Sequence, residues 1–151
     1  MIVGLISDTH GLVRTEALEA LRGSTLIVHA GDIGRPEVLD QLNRIAPTFA
    51  VRGNIDIRPW AAALPMTEAV EAGSHLVWVL HDIAELDLDP TVGFAAVIYG
   101  HSHKPSIETR DEVLYVNPGS AGPRRFRLPV TVGRLHVTDA GLRPEIVELN
   151  V

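Results

Sequence analysis

Ile2–Ser7 reads IVGLIS and is followed by Asp8-Thr9-His10-Gly11, DTHG, so an unbroken apolar run ends abruptly in a carboxylate and an imidazole two residues apart. Six such residues are too few for a buried helix and suit a short buried strand. The same grammar then recurs. Arg14–Arg22 carries Ala17, Leu18 and Leu21 at helical spacing and closes at Gly23, after which Thr25–His29 is a β-rich run ending in Ala30-Gly31-Asp32. Pro36 suits the first turn of a second helix over Glu37–Ile45, with Val38, Leu39, Leu42 and Ile45 as its apolar stripe and Pro47 as its stop. Thr48–Val51 is a third strand, and it delivers Arg52-Gly53-Asn54-Ile55-Asp56. Strands alternating with helices, with polar residues at the strand ends, predict an α/β fold.

Beyond this third the pattern changes. Arg58–Pro65 is a connection with room for one helical turn, and its Trp60 reads as a core plug, an oligomer contact or a cleft wall. Met66–Ala72 and His75–His81 flank Gly73-Ser74 as a hairpin whose second strand ends at His81-Asp82. Asp89-Pro90 resembles an N-cap with a first-turn proline and predicts a short helix before the strand Ala95–Tyr99. That strand runs into GHSHKP, where His101 and His103 stand one residue apart: too close to share a helix face, but able to splay from a loop toward two adjacent cations. Ser106–Arg110 and Val113–Asn117 read as a hairpin around Asp111-Glu112, and Pro129–Val137 pairs with Leu142–Leu149 across Asp139-Ala140-Gly141. Val130 and Val132 fall in one phase and Leu135 and Val137 in the other, which predicts a bulge near Gly133. No repeat or linker interrupts the chain, so residues 1–151 are expected to form a single domain.

Composition narrows the chemistry. The 151 residues are 46% apolar and 21% charged, the balance of an ordinary globular protein, and the longest apolar runs, such as Leu76–Leu80, are far too short for a membrane span. The apolar start lacks the basic head and cleavage pattern of a signal peptide, so a cytoplasmic location is expected. With no cysteine, neither disulfides nor thiolate zinc sites can form, and His, Asp and Asn are left as ligands, a set that favours harder metals such as manganese. A formal charge of −6 argues against general nucleic-acid binding. Two divalent cations would bring it to about −2 and concentrate positive charge at one spot, a field suited to small anionic substrates.

Asp8, Asp32, Asn54, His81 and His101 each stand at or just past the end of an apolar β-like run. Loops beyond the carboxyl ends of strands in an α/β sheet share one rim, so independent segments converge there, and His10 and His103 join through their own loops. Two cations about 3.5–4 Å apart need a bridging carboxylate, terminal carboxylates and imidazoles, and open positions for water and substrate oxygens. A hydroxide held between them would attack phosphorus in line with the leaving oxygen.

DxH, GD, GN, a histidine after a strand, GHxH and then Asn117-Pro118-Gly119-Ser120 together resemble the calcineurin-like metallophosphoesterases, and more narrowly the small bacterial and archaeal YfcE-type phosphodiesterases. The likeness spans residues 2–120 in order. It implies a two-sheet β-sandwich flanked by helices, in α/β/β/α layers, with a dinuclear centre at one rim. It further implies that Asp8, His10, Asp32 and His103 hold one metal and that Asp32 bridges to a second held by Asn54, His81 and His101. Manganese is the expected pair, with iron, nickel or zinc as substitutes. Asp56 and His29 become supporting residues able to orient ligand loops, although His29 also reads as a satisfied core histidine. Asn54 and Asn117 become substrate contacts, and NPGS either a loop beside the site or a plain turn.

Three positions depart from the family pattern. Ile55 fills the place after GN where many relatives have a histidine that assists the leaving group, so no general acid is assigned and easily expelled leaving groups are favoured. Asp82 stands where glycine usually follows the ligand histidine, either capping the next segment or perturbing the metal. Ser102 replaces threonine conservatively. Arg124, Arg125 and Arg127 offer contacts to a second phosphate or a base, or form a solvated basic turn; His75 and His136 lie outside the site. The expected function is a metal-dependent phosphodiesterase acting on small nucleotide-type esters, with room for a homo-oligomer. The alternatives are a nucleotide sensor or a non-catalytic scaffold like the retromer subunit of this fold.

Overall fold

In the computed structural model, which describes residues 1–151, the three apolar runs of the first third are neighbouring parallel strands, β1 (Ile2–Ile6), β2 (Leu26–His29) and β3 (Thr48–Ala50). Parallel neighbours need crossovers, and these are α1 (Thr15–Leu21) and α2 (Pro36–Asn43). Each turns its apolar stripe inward, so that Ala17, Leu21, Val38 and Leu42 are buried with Ile6 and Ile27 of the sheet. The other strands follow as β4 (Thr67–Ala72), β5 (His75–Leu80), β6 (Ala96–Ile98), β7 (Ser106–Arg110), β8 (Val113–Asn117), β9 (Thr131–Thr138) and β10 (Gly141–Glu148). The last hairpin adds to the free side of β1, giving a first sheet of order β10-β9-β1-β2-β3.

The second sheet has the order β4-β5-β6-β8-β7, with β5, β6 and β8 parallel and antiparallel strands at both edges. The β7–β8 hairpin turns on Asp111 and Glu112 at φ 50° and 68°, the left-handed pair that matches strand twist in two-residue hairpins. Between the sheets lies an aliphatic layer in which Val3, Leu5, Val28 and Leu135 meet Val77, Val79, Ile98 and Val116. Burying each such side chain contributes about 1.5–3 kcal/mol relative to leaving it in water.

The outer face of the second sheet is covered differently. Trp78, Ile83 and Leu86 pack over Leu80, Val97, Tyr99, Val113 and Tyr115, and the only helical element here is a 3₁₀ turn at Ile83–Glu85. The helix expected from Asp89-Pro90 is a single turn: Asp89 Oδ1 accepts from the Thr91 N–H and hydroxyl, and Phe94 N–H reaches Pro90 O. Gly93 at φ 96° then ends it. The expected bulge near Gly133 is also absent, since β9 and β10 pair without a break from Thr131↔Glu148 to Thr138↔Gly141. Both phases of β9 are apolar because both its faces are covered: Val132 points to the helix side, while Leu135 and Val137 point between the sheets. Trp60 sits in the middle of a 3₁₀ turn, Pro59–Ala61, and packs partly buried on the helix-side core, as the plug reading expects. No helix is long and apolar enough to cross a membrane.

Candidate metal centre

Six parallel strands, three in each sheet, have their carboxyl ends at one rim of the sandwich. From β1 comes Asp8, from β2 Asp32, from β3 Asn54, from β5 His81, from β6 His101 and from β8 the Asn117–Ser120 loop. Backbone hydrogen bonds zip these loops together: Asp8 N–H to Gly31 O at 2.9 Å, His10 N–H to Asp32 O at 2.9 Å and Gly100 N–H to His81 O at 2.9 Å. Ala121 N–H to Ser7 O at 3.1 Å ties the two sheets' loops to each other.

Five of the seven predicted ligands have left-handed backbone conformations: Asp8 (φ 56°), His10 (46°), Asp32 (57°), His101 (74°) and His103 (64°). For a residue with a Cβ this costs about 1–2 kcal/mol each, a strain that rigid surroundings sustain at functional sites. The close fit of the loops is absolute at two glycines. A Cβ at Gly53 would collide with Asp32 Oδ1 and its backbone nitrogen, and one at Gly100 with Ser7 Oγ and Asp8 Oδ2.

Asp8 is fully buried. Its Oδ2 accepts from Ser7 Oγ (2.7 Å) and from His101 N–H (3.1 Å), which leaves Oδ1 with no hydrogen bond. That oxygen lies 3.4 Å from His103 Nε2 and 4.0 Å from both His10 Nε2 and His81 Nε2. Asp32 accepts Ile55 N–H on Oδ1 (3.1 Å), while its Oδ2 stands 3.3 Å from His81 Nε2 and 3.6 Å from His10 Nε2. His81 Nδ1 donates to Ala30 O at 2.7 Å, so in the neutral ring Nε2 presents a lone pair to two carboxylates.

The electrostatics reflect this crowding. Burial works to lower the His81 pKa, but the Asp32 carboxylate 3.3 Å away, the Ala30 carbonyl and the charge of Asp8 together raise it. Burial likewise works to raise that of Asp32, and the His81 imidazole beside it, with the Ile55 N–H, outweighs it, bringing Asp32 down to about 2. Lone pairs facing carboxylates call for a positive charge between them. Two overlapping triads, Asp8/His10/His103 and Asp8/Asp32/His81, each have ligand atoms within 4.8 Å of one another. Asp8 Oδ1, His10 Nε2, His81 Nε2 and His103 Nδ1 are buried without partners. Divalent cations fit this donor set.

Asn54 and His101 stand on the same rim but outside the two triads. Asn54 is exposed and shares a small cavity with His81, Asp82, Arg52 and Glu85. The His101 ring meets that of His81 edge-on at 5.2 Å, and the rings of His10 and His103 are also 5.2 Å apart.

The supporting residues sort clearly. The buried Asp56 carboxylate accepts from Ile33 N–H (3.1 Å), Gly34 N–H (3.0 Å) and Gly53 N–H (2.9 Å), joining the Asp32 and Asn54 loops. Asp56→Ala strands all three donors, and a loss on the order of 3 kcal/mol is expected in the urea denaturation midpoint. His29 satisfies the core-histidine reading and braces the loops as well: its Nδ1 accepts Gly31 N–H (3.1 Å), its Nε2–H faces Thr9 Oγ1 (3.0 Å), and Thr9 donates to Ile33 O (2.8 Å).

Burial, with His81 adding to it, pushes the His29 pKa down to about 3. The unfolded chain takes up this proton near pH 6.5 and the folded chain does not, so the contribution of His29 to stability is full at pH 7 and is lost as pH falls toward 3. Denaturation midpoints of the metal-free chain are therefore expected to drop between pH 7 and pH 5. The raised pKa of His81 works in the opposite direction, so comparison with His29→Gln, which drops less, isolates the term.

Asn117, expected as a substrate contact, is instead fully buried with its amide committed: Nδ2 donates to Gly100 O and Ser102 Oγ at 3.1 Å each, and Oδ1 accepts Gly119 N–H at 2.9 Å. It anchors the GHSH loop. Sequence reasoning passed over Ser7 and Ser120, whose hydroxyls hold Asp8 at Oδ2 and at its backbone carbonyl. Small hydroxyl residues beside a ligand were the available signal. Arg124 donates to Leu128 O and Val151 O, closing its own turn. Asp82 caps the 3₁₀ turn by accepting Ala84 N–H at 3.0 Å.

Comparison with known proteins agrees with the geometry. Residues 1–140 match the calcineurin-like phosphoesterase superfamily domain. A probable metallophosphoesterase of Methanothermobacter thermautotrophicus is 32% identical over 160 residues, covering 97% of this chain and 92% of that protein. Among solved structures, an archaeal phosphodiesterase superposes with TM-score 0.75 at 23% identity, covering 97% of this chain and 100% of the other. Wild-type Vps29 of Entamoeba histolytica, complexed with zinc, gives 0.72 at 20% identity, covering 99% and 100%. With its candidate ligand residues gathered at one rim of this sandwich, the chain belongs to the calcineurin-like phosphoesterase superfamily.

Proposed function

We propose that this phosphoesterase hydrolyses small, nucleotide-type phosphodiesters with two divalent cations, manganese foremost. The observation that carries the reading is the convergence of unpartnered buried atoms, Asp8 Oδ1, His10 Nε2 and His81 Nε2, around two carboxylates. Asp8, His10, Asp32 and His103 would hold one cation, and Asp32, Asn54, His81 and His101 the other. Cations bound there would lower the pKa of water and neutralise charge on phosphoryl oxygens.

The chain's own groups do the rest. Asp32 Oδ2, between His10 and His81, sets the spacing of the two halves. The Ala30 carbonyl fixes which ring nitrogen His81 presents. The exposed Asn54 amide is available to a phosphoryl oxygen as well as to a cation. Ile55, 42% exposed, supplies no proton to a departing alkoxide, so esters of acidic alcohols are the better substrates. Asp82 and Glu85 edge the adjoining cavity and disfavour the dianion of a monoester more than the monoanion of a diester.

A metal-binding scaffold is the second reading, favoured by the likeness to Vps29 and opposed by a ligand set in which every position carries a usable group. One experiment separates them. Metal-free protein is reloaded with manganese, hydrolysis of bis-p-nitrophenyl phosphate is compared with that of p-nitrophenyl phosphate, and bound metal is counted in the same sample. Turnover that needs two cations per chain and favours the diester is expected. Two cations without turnover would point to the scaffold, and activity surviving thorough metal removal would overturn the mechanism.

A further inference from the structure

His101 is the odd member of the histidine set. Its side chain is 46% exposed, against 18%, 6% and 3% for His10, His81 and His103. A metal-binding imidazole as a rule gives its second ring N–H to a carboxylate or carbonyl, which fixes ring orientation and raises basicity. His81 has such a partner in Ala30 O. His101 has no ring hydrogen bond, and its one acidic neighbour is Asp82, whose Oδ2 lies 3.8 Å from His101 Nε2.

Asp82 is set up for this contact by its neighbours. It directly follows His81, at the end of β5, and its other oxygen, Oδ1, is committed to Ala84 N–H at 3.0 Å in the cap of the 3₁₀ turn. The cap holds one carboxylate oxygen in place and leaves the other directed at His101. The separation of 3.8 Å exceeds hydrogen-bond length, so the contact seen here is one of charge, between side chains that are 46% and 27% exposed. Asp82 also lines the cavity it shares with Asn54 and His81, so its charge faces the place where the second cation is expected.

The geometry points to Asp82 as the positioning residue for His101: its carboxylate orients and polarises the exposed imidazole that completes the second cation's ligand set. This inference rests on the dinuclear reading above. It makes Asp82, where family members usually carry glycine, a gain for the weaker half of the site. The cap alone accounts for only one of the two carboxylate oxygens.

The test uses the whole chain and manganese(II) as the probe, titrated calorimetrically into metal-free protein. Asp82→Asn keeps a good cap acceptor and removes the charge, while Asp82→Ser keeps the cap and removes the reach. In both variants the weaker of two binding steps is expected to lose about 10–100-fold in affinity. The stronger step and the melting temperature of the metal-free chain should not move. In a His101→Ala background, Asp82→Asn should cause no further loss, a non-additivity that a purely structural role would not produce. Unchanged binding in both variants, or an equal loss with and without His101, overturns the inference. A wild-type chain that takes up only one manganese ion overturns the dinuclear reading, and this inference with it.

Discussion

Asp32→Ala is expected to lose catalytic efficiency by a thousandfold or more and to bind fewer than two manganese ions, while remaining folded. Asp32 Oδ2 lies 3.6 Å from His10 Nε2 and 3.3 Å from His81 Nε2, one imidazole from each half of the site, while the carboxylate's hydrogen bond is made by its other oxygen. Its removal leaves His10 and His81 with only the more distant Asp8 carboxylate, 4.0 Å from each, and electrostatic groups aimed at a reacting phosphoryl centre are typically worth factors of about 10²–10³ each. The effect on folding is small. The one hydrogen bond lost is from Ile55 N–H, which is partly exposed, so the cost is about 1 kcal/mol. Steady-state kinetics, metal counting and a urea midpoint on one preparation check all three parts. Full activity in this variant would mean that the carboxylate pair is structural.

Gly53→Ala is expected to damage the site without removing any ligand. The new methyl must occupy space held by the Asp32 carboxylate and backbone nitrogen, and backbone atoms cannot rotate away as a flexible side chain can. The Asn54 loop therefore moves off the Asp32 loop and weakens the Gly53 N–H to Asp56 bond at 2.9 Å. Overpacking of this kind costs about 1–3 kcal/mol of stability, and a displacement near 1 Å costs about a hundredfold in rate. Reduced metal affinity at an intact ligand count is the signature to measure, and wild-type affinity would show that the loops are more compliant than their packing implies.

What could be read from the sequence was local and repetitive. The strands of both sheets, α1, α2 and the hairpin turns follow from apolar runs closed by glycine, proline and aspartate, because those signals act within a few residues. The convergence of the candidate residues was legible for the same reason, since Asp8, Asp32, Asn54, His81 and His101 each mark a strand's end. The failures were tertiary. Asp89-Pro90 starts a turn correctly, but nothing local announces that Val92 stays 74% exposed, so no apolar stripe exists to extend a helix. β9 mimicked a bulge because alternate residues serve two different cores. Asn117 was misjudged as a substrate contact because its partners, Gly100 and Ser102, lie 17 and 15 residues away. The three backbone donors that converge on Asp56 were invisible for the same reason.

The candidate ligands divide four to three between the sheets, with Asp8, His10, Asp32 and Asn54 on loops of the first and His81, His101 and His103 on loops of the second. The aliphatic layer between them is therefore a spacer gauge. Packed sheets stand about 10 Å apart, and the bulk of Val28, Val79 and Ile98 in that layer sets how closely the candidate ligands of the two sheets face each other. A methylene removed deep in the sandwich would be transmitted as an error in the spacing of the two sheets' candidate ligands. Conversely, on the proposed dinuclear reading, cations bound across the rim would clamp the sheets together at one end, so that metal loading and resistance to shear of the sandwich would rise and fall as one property.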